Sequence, residues 1–215
     1  LENAIKENGL VYVLKNGIED MGIKLKVCYF KPESELNDAQ TALYKCNILG
    51  CTRQFAYSPH NNNTIDMVLS VNGIPVVALE LKNQYKGQDA ECAMEQFKND
   101  RDPKELCFRL DRRFLVYFAA DLYDVYMTTQ LAGTATRFFP FDQGSNGAGV
   151  KGGKGNPADP DDYSTAYLWK KVLQRDSLLD LINKFISSVT EKEEVEIGGQ
   201  IKTTEKQKLI FPRYH

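Results

Sequence analysis

Asp66, Glu80 and Lys82 are the residues whose types and spacing could do chemistry in this chain. Glu80 and Lys82 are separated only by Leu81, so on a strand their side chains point the same way. Two carboxylates converging on one point can hold Mg²⁺, a hard cation that takes oxygen ligands at about 2.0–2.1 Å and keeps several waters. Such an ion polarises a phosphoryl oxygen and lowers the pKa of a bound water. A lysine two residues on is a compact charge that can orient that water and offset charge developing on the phosphate. The chemistry this suits is phosphodiester hydrolysis. The alternative is a solvated surface pair, against which stands the apolar setting: Asp66 and Glu80 lie in runs rich in Val, Ile and Leu, where an unpaired charge is costly.

The elements that must position them are two apolar runs, Ile65 to Val71 and Pro75 to Leu81, meeting at Asn72-Gly73. This is a strong hairpin signal. A two-residue loop closed by Val71 and Ile74 would pair Asp66 with Leu79 and turn Glu80 to the other face. A three-residue loop with Gly73 left-handed in a bulge would pair Asp66 with Ala78 and set Glu80 diagonal to it, roughly 7–8 Å away between backbones. The three-residue, bulged turn is therefore expected.

Asp66, thirteen intervening residues and then Glu80-Leu81-Lys82 resembles the core motif of the PD-(D/E)xK nuclease superfamily, with Ile65 where that motif often has Pro. More specifically, IDMVLSVNGIPVVALELKN resembles the amino-terminal nuclease region of the restriction (R) subunit of type I restriction-modification enzymes. The similarity continues through EQFKNDRDP, LVYFAADLYDVYMTT, YLWKKVLQRDSLLDLINKFI and KQKLIFPRYH.

The resemblance implies an α/β fold with a mixed central sheet flanked by helices, and a metal-dependent cut of double-stranded DNA. Asp66 and Glu80 would bind Mg²⁺ (Mn²⁺ as substitute), and Lys82 would position the attacking water. Relatives carry a Gln followed four residues later by Tyr on the next helix; Gln96 matches and would support the site, while Asp100 stands where the Tyr would be. Glu2 could be the acidic residue that such nucleases often carry on a preceding helix. In this family similar residues lead on into an ATP-driven motor, so ATP would enter only through that missing part, and target recognition would belong to the modification and specificity subunits. Residues 1–190 would be the endonuclease domain and 191–215 a connector toward the motor. A docking module that does not cut and a stand-alone repair or recombination nuclease are the alternatives.

At 215 residues and 42% apolar content the chain can bury one substantial core. A formal charge of −2 excludes DNA binding through overall basicity and requires a local patch. Lys98, Arg101, Arg112 and Arg113, interleaved with phenylalanines, are candidates for a phosphate-contacting edge; solvated or balanced cations are the equal alternative. The five cysteines include no C-x-x-C, and buried free thiols are expected. No apolar run reaches the ~18 residues of a membrane span, which fits a cytoplasmic protein.

The rest of the chain reads as short helices broken at Gly9 and Gly17, a strand from Gly22 to Phe30, and a helix capped by Asp38 running to about Leu49. Cys51 to Tyr57 should be a strand beside the hairpin, followed by the polar loop holding His60. Next come a helix from Gly87 to Asp100 capped by Asp89, and strands over Phe114–Ala120 and Asp124–Leu131 joined by a turn that explains Asp121 and Asp124. The Gly-rich stretch 142–159 fits neither a phosphate-binding loop motif nor regular structure, leaving a flexible insertion or a DNA-facing loop. Two amphipathic helices, Tyr163–Leu173 and Ser177–Ser188, are expected to pack on the core together with Trp169.

Overall fold

A computed structural model describes residues 1–34, 36–197 and 200–214. The chain opens with helices α1 (Glu2–Asn8) and α2 (Leu10–Asn16), which end at Gly9 and Gly17 as their sequence predicts. Only Ile18–Asp20 (β1) and Ile23–Leu25 (β2) then pair, so the long strand expected from Gly22 to Phe30 is a three-residue one. Asn37 caps α3 (Asp38–Lys45) by accepting from the Gln40 N–H, one residue earlier than expected. The helix stops well short of Leu49 because Asn47 is buried and bonds the carbonyls of Tyr29 and Tyr44.

The central sheet is built from β3 (Leu49–Ala56), β4 (Thr64–Val71), β5 (Ile74–Leu81), β6 (Val116–Ala120), β7 (Val125–Thr128) and β8 (Phe139–Pro140), adjacent in that order. All neighbours are antiparallel except β5 and β6, which are parallel. A parallel pair needs a crossover, supplied by α4 (Ala90–Asn99), capped by Asp89 and laid across β5, β6 and β7. Phe97 and Ala93 of α4, with Phe108, Phe114 and Tyr117, form one core layer. The other layer holds Leu79, Val116 and Phe118 against α2 and the helical segment from α5 (Arg175–Asp180) through the π-helical turn Leu181–Phe185. This is the α/β architecture, a mixed sheet flanked by helices, that the nuclease resemblance implied.

The hairpin register departs from expectation. Val71 pairs with Ile74, so Asn72 (φ 52) and Gly73 (φ 81) form a two-residue turn with both residues left-handed. The bulge lies instead at Val76: Ser70 pairs with Pro75 and Leu69 with Val77. Val76 and Val77 are accordingly both buried in the same core layer, which strict alternation forbids. Ala78, the expected partner of Asp66, pairs with Val68.

The carboxy-terminal part also differs. Leu168–Val172 is a π-helical turn, and Trp169 is 43% exposed beside Tyr163 rather than in the core. The boundary expected at 190–191 falls inside β9 (Ser187–Ile197), which pairs along its length with β10 (Gln200–Ile210). The ribbon's base returns to the core through Leu209 and Phe211. His215 lies outside the described residues. Among the described residues, no helix is long and apolar enough to cross a membrane.

Asn72 ties the turn to the rest of the fold: its side chain accepts from Ile48 N–H and donates to the Val27 carbonyl and to Asn47. Asn72→Ala is expected to cost about 2 kcal/mol, from lost hydrogen bonds and a left-handed alanine, and Asn72→Gly less, because glycine accepts the backbone. Thermal or denaturant unfolding of both variants checks this; equal losses would show that the backbone conformation is irrelevant.

Candidate active site

The ladder between β4 and β5 ends at Met67–Leu79, and one further step in that register sets Asp66 across from Glu80. Beyond the last pair, Asp66 itself completes the bonding: its Oδ2 accepts the Leu81 N–H at 2.9 Å. Its Oδ1 accepts from Gln54 Nε2 at 3.1 Å, and Gln54 in turn accepts from the Thr64 hydroxyl at 2.7 Å. Gln54 sits between the Arg53–Met67 and Phe55–Ile65 pairs with φ 50, a left-handed residue inside a strand. Asp66 is thereby fixed from both neighbouring strands while half-buried.

Glu80 has no solvent exposure. Its Oε1 accepts from the Arg101 guanidinium at 2.6 Å, and Arg101 is itself 3% exposed. Arg101 also donates to the Thr64 carbonyl at 2.8 Å and lies 5.3 Å from the Tyr57 ring centre, a cation–π contact. Glu80 Oε2 is buried without a hydrogen-bond partner. Burial pushes the Glu80 carboxyl up to about 7; Arg101 opposes this, and the nearby Asp66 carboxylate adds to it. The two carboxylates therefore meet, although the bulge that brings them together is not the one expected.

Lys82 follows two residues on, its backbone N–H held by the Ala120 carbonyl. Its ammonium donates to Gln96 Oε1 at 2.5 Å, so α4 holds the lysine in place. Asp100 offers a carbonyl to the hydroxyl of Tyr57, which follows β3.

Each of the four residues of the basic cluster has a partner within the chain. Arg101 is buried against Glu80, because a carboxylate inside the sheet needs a cation more than the surface does. Lys98 pairs with Glu95, Arg112 donates to the Ile5 carbonyl, and Arg113 pairs with Glu2. Glu2 thus binds the part-buried Arg113 rather than standing with the carboxylates. His60 lines a separate cavity with Phe55, Cys107 and Phe114. Asp121 accepts the N–H groups of Tyr123 and Asp124 and serves its turn. Cys28 and Cys107 are buried, whereas Cys46, Cys51 and Cys92 are exposed. Sequence reasoning missed Gln54, Tyr57 and Thr64. Their only signal was their position on the strand and loop preceding Asp66.

The family model described as Type I restriction enzyme R protein N terminus matches residues 5–136, more than half of the chain. The chain belongs to this family. No curated protein matches it. The part matched to the type I R protein family contains Asp66, Glu80, Lys82, Gln96 and Arg101 and ends before the Gly-rich stretch.

The donors in this R protein domain fit a hard divalent cation. Asp66 and Glu80 offer carboxylate oxygens, and Glu80 Oε2 is a buried acceptor with nothing to accept. Among the described residues no group of three or more His, Cys, Asp or Glu comes together. An ion here would have two carboxylates as side-chain ligands, the pattern Mg²⁺ tolerates because it retains water.

The Glu80–Arg101 pair carries a pH signature. A carboxyl that holds its proton to about pH 7 when folded and to 4.5 when unfolded contributes stability below pH 4.5 that is lost as pH rises through 7. Removing Arg101 raises the folded value further, so the loss deepens only above pH 4.5. Arg101→Met is expected to cost about 3–5 kcal/mol at pH 8 and clearly less at pH 5. Denaturant unfolding of the metal-free chain at both pH values checks this, and a pH-independent cost would contradict it.

Proposed function

We propose that this chain is the endonuclease domain of a type I restriction enzyme R subunit, hydrolysing phosphodiester bonds of double-stranded DNA. The observation that carries the reading is the meeting of Asp66 with a buried Glu80 beside a Lys82 held by Gln96. Bound at the two carboxylates, Mg²⁺, or Mn²⁺ in its place, would supply a polarised phosphoryl oxygen and a water of lowered pKa. The protein's part is positional. Gln54 and the Leu81 N–H hold Asp66, and Arg101 holds one oxygen of Glu80. Gln96 keeps the Lys82 ammonium where it can orient a water and face charge developing on phosphate.

Residues 191–215 would lead toward an ATP-driven motor, so ATP acts through that part alone. The modification and specificity subunits would choose the DNA sequence, and the assembly would work in the cytoplasm. A second reading, a docking module that does not cut, is favoured by the Arg101 pair, which already balances Glu80 without a metal.

Electron paramagnetic resonance of added Mn²⁺ separates the two. The nuclease reading expects bound Mn²⁺ that is lost in Asp66→Ala and Glu80→Gln and retained in Lys82→Ala. No bound Mn²⁺ in the wild type, or binding indifferent to Asp66, would favour the docking module.

A further inference from the structure

The Gly-rich stretch that follows β8 is a stapled platform. Gly155 N–H donates to Asp142, Gln143 N–H to Asn156, Gly153 N–H to the Ser145 hydroxyl, and Asn146 to the Lys151 carbonyl. Asn156 also donates to the Tyr123 carbonyl, anchoring the loop to the β6–β7 turn. A Cβ on Gly152 would lie 2.8 Å from Ser145 Oγ and 3.1 Å from Asn146 N, so glycine is required for the two arms to close.

This platform and the carboxy-terminal end enclose an open cavity of about 630 Å³ whose charged lining is Lys151, Lys154, Arg213 and Asp142. Asp142 is engaged by Gly155. The three cations have no carboxylate partner among the described residues, in contrast to Lys98, Arg101 and Arg113; Arg213 rests over the Phe139 ring at 5.9 Å. In a chain of net charge −2, this is a free positive patch with glycine backbone open to close approach.

The sheet places one lining residue, Pro140, relative to the carboxylates. Glu80 pairs with Ala119, Ala119 with Tyr126, and Tyr126 with Pro140, which lines the cavity. Three strand spacings put Pro140 about 14 Å from Glu80, roughly four base pairs along a duplex axis. We infer that Lys151, Lys154 and Arg213 bind neighbouring backbone phosphates of the same DNA duplex that meets Asp66 and Glu80, a few base pairs from the bond to be cut. The assignment rests on the nuclease reading for its substrate, but it concerns binding and is testable without cleavage.

The test is fluorescence anisotropy of a short labelled duplex with the chain in EDTA, across a salt series. Lys151→Gln/Lys154→Gln/Arg213→Gln is expected to weaken binding by about tenfold or more and to flatten the salt dependence by about two to three in log–log slope. Lys151→Arg/Lys154→Arg should retain both. Unchanged affinity and slope in the triple variant would overturn the inference, as would displacement of the duplex by millimolar ATP, which would mark a nucleotide pocket. Because no metal is present, loss of binding in the triple variant stands even if Asp66 proves dispensable for cutting, and the two failures are distinguishable.

Discussion

A carboxylate without solvent access, in the middle of a mixed sheet, is the constraint on which the arrangement around it depends. Glu80 must be either protonated or faced by a cation. Arg101 meets that need from the segment just after α4, and to do so it is drawn against Tyr57, which follows β3, and Thr64, the first residue of β4. One ion pair therefore joins β5, the end of the crossover helix and the entry to β4. It leaves Oε2 of Glu80 without a partner, so the same contact that makes the buried charge tolerable also leaves an oxygen to spare.

The second carboxylate depends on register. With the side-chain period of a strand fixed at two, a one-residue slip sends a side chain to the other face. The bulge at Val76 makes that shift, and the turn ahead of it is pinned by Asn72 to Val27, Asn47 and Ile48. Residues far from Asp66 thus decide which residue of β5 it meets.

Much of this was legible in the sequence. The two apolar runs, the Asn72-Gly73 turn, the Asp89 cap and the spacing of Asp66, Glu80 and Lys82 are local signals, and local signals survive folding. The bulge position was not legible, because no residue type marks it: Val76 and Val77 are both apolar and suit either register. Arg101 looked like one of several surface cations, since a charged residue's burial is decided by which distant group needs it. Trp169 shows the reverse error: its apolar character suggested the core, yet a half-exposed aromatic is ordinary. The stretch from Glu191 to His215 reads as charged and then strand-like, but the pairing of β9 with β10 was not legible, because a two-stranded arm need bury little to form.

Plasmid cleavage measured beside ATP hydrolysis in a reconstituted full-length complex tests the assignment of Asp66, Glu80 and Lys82 most directly. With Asp66→Ala or Lys82→Ala, cutting is expected to disappear while ATP is still consumed. Cutting that persists in either variant would contradict it.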